Sequence, residues 1–246
     1  MYKKDIYTIR SNEPLTASVW RMVLEGDTQW ITRPGQFVNI ELVGRYLRRP
    51  ISISDYDAST LTLIYKVVGA GTEQMSRMKA GESLDLLTGL GNGFDTTIES
   101  HRPLLVGGGV GVPPLYNLCK QLLRQGKQPT VILGFNKADE VFYQAEFEAL
   151  GARVYVATAD GSVGVKGFVT DVLREQGVEY DYFYSCGPLP MLKALSAATS
   201  TEGELSFEER MGCGFGACMG CSCKTLTGNK RICKEGPVMK KSEIMW

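Results

Sequence analysis

The chain has a single histidine, His101, among 246 residues, and that scarcity removes several site chemistries at once. Zinc sites built from two cysteines and two histidines, and Rieske-type iron–sulfur sites, both need a second imidazole. An excess of charge of one sign is lacking too: 27 Lys and Arg balance 27 Asp and Glu, leaving no long-range field to attract nucleic acid or an anionic membrane. Apolar runs such as Pro103 to Val112 are cut by glycine and proline well short of the roughly 18 residues that cross a bilayer. There are no internal repeats or low-complexity tracts, and 43% hydrophobic with 22% charged residues is ordinary for a folded protein. Nothing at the start resembles a secretory signal, which together with clustered thiols implies a reducing, cytoplasmic compartment.

What the chain does have is cysteine concentrated in one place. Cys213-Gly-Phe-Gly-Ala-Cys218-Met-Gly-Cys221-Ser-Cys223 is answered ten residues later by Cys233. Read as C-x4-C-x2-C…C, this is the plant-type ligand spacing for a 2Fe-2S cluster, in which three close thiolates and one distant thiolate grip two irons. Gly212, Gly214, Gly216 and Gly220 alternate with the thiols, so backbone N–H groups can turn inward towards sulfur. A structural zinc site is the alternative reading, although its usual C-x2-C pairing occurs only once here. Five thiols compete for four positions, and Cys223 is assigned as the spare because the spacing is complete without it.

The hydrophobic rhythm divides the chain. From the start to about Asp95, short alternating segments (Ile6–Ile9, Val19–Leu24, Gln36–Leu42, Ile51–Ser54, Leu61–Val68, Ser83–Leu87) predict a small antiparallel β-barrel. From His101 to about Ser200, strand and helix patterns alternate, predicting an α/β doubly wound parallel sheet. The expected organisation is multi-domain: a barrel over residues 1–98, an α/β domain over 99–202, and a small C-terminal unit over 203–246 too short to fold without its metal centre.

Several segments carry chemistry. Arg48-Arg49-Pro50-Ile51-Ser52 sets guanidinium, rigid ring and hydroxyl on one barrel strand, where arginine suits a diphosphate and serine a ring nitrogen. Val68-Gly69-Ala70-Gly71-Thr72 leads into a helix expected over Glu73–Met78, with Thr72 as N-cap. Leu104-Leu105-Val106-Gly107-Gly108-Gly109-Val110-Gly111-Val112-Pro113-Pro114 reads as a buried strand running through glycines into a helix, although Pro114 stands where the third glycine of G-x-G-x-x-G belongs. Ser185-Cys186-Gly187-Pro188 closes a later strand at its carboxyl edge, where open parallel sheets place ligands. Each segment also has a plain structural reading as a turn.

Taken together, R-P-x-S, G-x-G-T, G-G-G-x-G-x-x-P and C-G-P, in this order, resemble the ferredoxin–NADP reductase superfamily over residues 1 to about 200. With the thiol pattern added, the whole chain resembles the family of electron-transfer subunits of type B dihydroorotate dehydrogenase. The resemblance implies FAD held by Arg49, Pro50, Ile51, Ser52, Ile64, Tyr65, Lys66, Gly71 and Thr72. It implies NAD at Gly107, Gly108, Gly109, Gly111, Pro113, Cys186 and Gly187, and a 2Fe-2S cluster on Cys213, Cys218, Cys221 and Cys233. Ile51 departs from the tyrosine common in the wider superfamily. The implied partner is an FMN-containing catalytic dihydroorotate dehydrogenase subunit, two of each in a heterotetramer, with no nucleic acid or membrane involved and Met211, Phe215 and Met219 as contacts. Nicotinamide exchanges two electrons and the cluster one, so a flavin between them matches the step sizes, and no acid–base residue is assigned. The alternatives are a subunit of another NAD(P)H-dependent iron–sulfur flavoprotein complex, of the ferredoxin:NADP oxidoreductase or sulfide dehydrogenase type, and a zinc-stabilised interaction protein. Asn136-Lys137-Ala138-Asp139 offers both a cation and an acid, and does not choose between NAD and NADP.

Overall fold

Alternation of apolar and polar residues builds the first unit strand by strand in the computed structural model, which describes residues 2–246. The strands are β1 (Lys3–Pro14), β2 (Val19–Glu25), β3 (Phe37–Ile40), β4 (Arg49–Tyr56), β5 (Thr60–Lys66) and β6 (Ser83–Leu90), with helix α1 (Ala70–Ser76) before β6. They close into a barrel in the order β1-β2-β5-β4-β3-β6, every pair antiparallel. Tyr7, Ile9, Met22, Leu24, Val38, Ile40, Ile53, Leu61 and Leu63 point inward and fill it. The six strands expected from sequence are therefore present. The helix is not where the sequence placed it: α1 starts at Ala70, and Thr72 lies inside its first turn. The Thr72 hydroxyl accepts the backbone N–H groups of Val68 (3.0 Å) and Gly69 (3.3 Å). It caps backwards from the third helical position, which a side-chain hydroxyl does as readily as from the N-cap itself.

The second unit alternates β7 (Pro103–Gly108), α2 (Pro114–Arg124), β8 (Thr130–Phe135), α3 (Gln144–Ala149), β9 (Arg153–Thr158), β10 (Val165–Lys166), α4 (Val169–Gln176), β11 (Tyr182–Cys186) and α5 (Leu189–Ala198). Adjacent residues of β7 face opposite ways: Leu105 packs with Leu115, Leu118 and Phe147 of α2 and α3, and Leu104 with Val172 and Leu192 of α4 and α5. Val19, Ile64 and Phe94 of the barrel unit join the first of these cores, so the two units share a continuous apolar seam.

After α5 come β12 (Gly203–Ser206), β13 (Ser222–Thr225), β14 (Gly228–Arg231) and β15 (Val238–Lys240). Here the structure departs from the expected boundary between residues 202 and 203. The sheet order is β10-β9-β8-β7-β11-β12-β15, with β12 parallel to β11 and β15 antiparallel to β12. The first and last strands of the C-terminal segment thus extend the α/β sheet, and only the β13–β14 hairpin with the thiol loop stands outside it. Main-chain pairing supplies part of the order that the short segment was expected to draw from metal alone.

The thiol segment is also pinned to the barrel. Asn92, just after β6, donates its side-chain amide to the carbonyls of Glu235 (3.1 Å) and Val238 (2.7 Å) and accepts the Val238 N–H (3.1 Å). Asn92→Ala leaves these part-buried backbone groups unmatched and is expected to lower stability by about 1–2 kcal/mol, read from denaturant unfolding of the purified protein. No helix among the described residues is long and apolar enough to cross a membrane.

Candidate functional site

The thiol loop coils through left-handed backbone at Gly214 (φ 80°), Gly216 (φ 91°) and Met219 (φ 60°). Glycine adopts this conformation freely, and the coiling turns amides towards sulfur. Cys213 Sγ accepts the N–H groups of Ala217 (3.2 Å) and Cys218 (3.5 Å), and Cys221 Sγ accepts that of Cys233 (3.4 Å). Burial raises the Cys213 thiol, but the amides of Cys218, Phe215 and Ala217 and the Cys218 thiol outweigh it and bring Cys213 down to about 6. Cys233 is pushed up to about 12 by burial, then by the neighbouring Cys221 and Cys213 sulfurs. The Cys218 thiol hydrogen-bonds Cys213, and Cys233 lies within electrostatic reach of both Cys221 and Cys213, so the four thiols share one neighbourhood. Among the described residues no three Cys, His, Asp or Glu side chains converge on one ion-sized point. An all-sulfur donor set in one neighbourhood, lined by inward amides, fits a two-iron cluster, whose positive irons offset the charge of the thiolates.

Cys223 sits at the edge of this group, more exposed than Cys221 and Cys233. It lies on β13 opposite Lys230, and lines a crevice of about 190 Å³ with Gly187, Pro188, Leu189 and Phe207. Cys221 and Cys233 are buried against Phe37, Leu87 and Leu90 on the barrel's outer face, and half-buried Cys223 packs on the edge of the same cluster. Arg231 braces the loop, donating to the Gly216 carbonyl (2.6 Å) while its Nε binds Glu235 (2.9 Å).

On β3, Phe37 and Asn39 alternate with inward-facing Val38 and Ile40, and their cross-strand partners on β4 are Ser52 and Pro50. The Asn39 amide donates to the Cys213 carbonyl (3.2 Å), and a Cβ added at Gly214 would stand 2.4 Å from that amide. Opposite residues in such a ladder lie about 5 Å apart, so the thiol loop rests one strand away from Pro50 and Ser52. Asn39 escaped the sequence reading. Its one signal was a polar residue in the otherwise apolar strand Phe-Val-Asn-Ile, and its Oδ1 is buried without a partner.

The two neighbouring arginines divide their roles. Arg48 is spent on the barrel's outer face, on the Asn39 carbonyl (3.2 Å), the Asp85 carbonyl (3.1 Å) and the Asp85 (2.8 Å) and Glu41 carboxylates. Arg49 has no carboxylate partner among the described residues; its guanidinium donates to the Leu47 carbonyl and lies over Gly71, where an added Cβ would stand 2.2 Å from Nε. An unpaired cation folded onto a bare glycine turn suits a diphosphate. Ser52, Ile51 and Pro50 are half-buried along the same strand, with Ile51 leaning on the barrel core. Ile64 faces the seam with the α/β unit and Lys66 is exposed. Tyr65 points the other way: its hydroxyl donates to Asn12 inside the barrel (2.9 Å), and burial raises it to about 12. Only its backbone is left for a ligand.

In the α/β sheet, strand order reverses between β7 and β11, the switch point where such sheets hold nucleotides. The turns after these strands interlock. A Cβ at Gly111 would meet the Cys186 carbonyl oxygen at 2.2 Å, and one at Gly108 would meet Met191 Sδ at 2.5 Å. Gly107 is filled by Val112, and Gly187 by Met191. The Cβ directions of these four glycines are taken by Val112, Met191 and the Cys186 turn, so each is bare for packing on that side. Gly109, left-handed at φ 52° with nothing within 4 Å of its Cβ position, is the one facing open space. Pro113 precedes α2, where its missing N–H costs nothing. Burial pushes the Cys186 thiol up to about 12, so it is a neutral side chain beside that opening. Beyond β8, Lys137 is paired with Asp139 (2.8 Å), and Asn136 donates to Glu140 (2.8 Å).

Residues 208–245 match the iron–sulfur cluster binding domain of dihydroorotate dehydrogenase B, and residues 105–197 match the oxidoreductase NAD-binding domain. The dihydroorotate dehydrogenase B (NAD(+)) electron transfer subunit of Geobacillus sp. (strain WCH70) is 44% identical over 100% of both chains. That of Fusobacterium nucleatum is 45% identical over 96% of each. Among solved structures, one describing NADH-dependent reduced ferredoxin-NADP oxidoreductase superposes with a TM-score of 0.89 at 29% identity, covering 98% of this chain and 90% of that one. A ferredoxin NADP+ reductase from Neisseria gonorrhoeae with bound FAD and NADP shares the fold, with a TM-score of 0.69 at 17% identity over 80% of this chain and 90% of that one.

Proposed function

This chain belongs to the family of electron-transfer subunits of NAD(+)-dependent dihydroorotate dehydrogenase B, and from that premise we propose how its parts divide the work. It passes electrons from a separate FMN-containing catalytic subunit, which oxidises dihydroorotate in pyrimidine biosynthesis, to NAD+. Two copies join two catalytic subunits in the cytoplasm. When bound, the 2Fe-2S cluster exchanges single electrons, FAD one or two, and NAD+ a hydride, so the three match in series.

The chain's own residues hold and orient these groups. Cys213, Cys218, Cys221 and Cys233 are the cluster ligands, with Cys223 outside the set. Arg49 and the Gly71–Thr72 turn receive the FAD diphosphate, and Pro50, Ile51, Ser52, Ile64, Lys66 and the Tyr65 backbone line the flavin. The turns at Gly107–Pro113 and Cys186–Gly187 receive NAD, with Gly109 as the point of backbone approach. Asp139 beside Lys137 at the β8 end places an acid where it can accept a hydrogen bond from a ribose hydroxyl, which favours NAD over NADP. The exposed loop edge Ala217–Gly220, with Met219 at its tip and Phe215 stacked on Tyr2 (centroids 4.9 Å apart), faces the catalytic subunit.

One observation carries this reading: the Asn39–Cys213 hydrogen bond seats the thiol loop beside the strand that bears Pro50 and Ser52. The ferredoxin:NADP alternative keeps the same parts with another partner, and its solved example is less similar in sequence than the dihydroorotate dehydrogenase relatives. Anaerobic copurification tests the choice. The expected complex contains a dihydroorotate-oxidising flavoprotein, with FAD, iron and acid-labile sulfide on this chain, and reduces NAD+ on dihydroorotate much faster than NADP+. Recovery of a larger iron–sulfur flavoprotein without dihydroorotate activity overturns it.

A further inference from the structure

Strand β4 carries an irregularity where it meets β5. Its pairing with β5 runs Ile53 to Leu63 and then Asp55 to Thr62, a one-residue shift between Ile53 and Asp55. Bulges of this kind bend a strand and re-aim the side chain beside them. Here Asp55 leaves the barrel and crosses the seam to α2. One carboxylate oxygen accepts the Asn117 amide (2.6 Å) and the other the Lys120 ammonium (2.7 Å). Gln121 extends the contact, donating to Asn117 (2.7 Å) and, more weakly, to the Tyr56 hydroxyl (3.4 Å). Asp55 and Lys120 are both about three-quarters buried, with side-chain exposures of 22% and 25%.

The position of this clamp matters more than its strength. Asp55 is three residues along β4 from Ser52, on the strand proposed to line the flavin. Asn117 and Lys120 lie in the first two turns of α2, the helix that emerges directly from the glycine turn proposed to receive NAD. The clamp therefore joins the two binding segments by a short, rigid route. We propose that Asp55 is a positioning residue for hydride exchange, holding α2 and its preceding turn at the working distance from β4. The proposal rests on the flavin and nicotinamide sites assigned above. A hydride carries two electrons and one proton from the dihydronicotinamide, which is left oxidised, to the flavin, which is left reduced; the reverse transfer makes the same demand on distance.

Stopped-flow reduction of the FAD-loaded complex by NADH tests it. Asp55→Ala is expected to slow flavin reduction about 10- to 100-fold, the range that small misplacements of reacting groups produce. FAD and iron contents stay unchanged, KM for NADH stays within about twofold, and the long-wavelength charge-transfer absorbance of the flavin–nicotinamide pair weakens. Asp55→Asn, which can still accept from Asn117, is expected to fall between the two. Lys120→Met keeps the packed stem and serves if Asp55→Ala does not fold; it is expected to slow the step in the same direction. Wild-type reduction rates in Asp55→Ala, or in Lys120→Met where that variant replaces it, overturn the proposal, as does a loss of rate that merely tracks loss of FAD. If the wild-type complex itself accepts no hydride from NADH, the site assignment has failed instead.

Discussion

Cys233→Ser is expected to strip iron and acid-labile sulfide from the protein and to abolish dihydroorotate-dependent NAD+ reduction while leaving NADH oxidation by an artificial dye intact. Serine keeps the size of the side chain but not the thiolate that binds iron. Groups that only support metal ligands already cost about 10- to 100-fold when removed, so loss of a ligand should exceed roughly 100-fold in the complete reaction. The dye reaction needs only the barrel and the α/β unit, whose cores do not include Cys233. Cys223→Ser supplies the contrast: its thiol lines the crevice beside Gly187 and Phe207, and its loss should leave the iron content and both activities near wild type. Full iron in Cys233→Ser together with iron loss in Cys223→Ser would reverse the assignment of the fourth ligand.

Gly111→Ala is the second large effect. The new methyl group would stand 2.2 Å from the Cys186 carbonyl oxygen and 2.4 Å from its carbon, both backbone atoms with no flexible end to yield. The glycine turn must then separate from the Cys186–Gly187 turn. Overpacking of this kind costs about 1–3 kcal/mol, visible as a lower denaturation midpoint. Because the displaced turn is the proposed nicotinamide site, KM for NADH is expected to rise at least about tenfold while FAD and cluster are retained. A Gly111→Ala protein that is destabilised but binds NADH normally would place the dinucleotide elsewhere.

The sequence was most legible where one local rule decides the outcome. Two-residue alternation marks Tyr7 and Ile9 as interior, and the barrel core holds both. Legibility fails where a residue's role is fixed by a partner far along the chain. Val238-Met239-Lys240 is too short to show a period, and becomes a strand only because Gly203–Ser206 offers it an edge. Gly108 and Gly111 look like phosphate-approach glycines, yet the space their side chains would fill belongs to Met191 and Cys186. Thr72 reads as an N-cap because a hydroxyl before a polar helical run usually is one; the glycines ahead of it let the helix begin earlier. Asp55 gives no signal at all, since a bulge depends on how two strands meet.

The thiol segment is bracketed by β12 upstream and β15 downstream, neighbours in one sheet, so its two ends are tied together by main-chain pairing that involves no cysteine. Part of the entropy of closing that loop is settled by the sheet before any iron arrives. Protein freed of iron is therefore expected to keep β12 and β15 paired and the ends of the thiol segment together, an outcome that amide hydrogen exchange across these two strands checks.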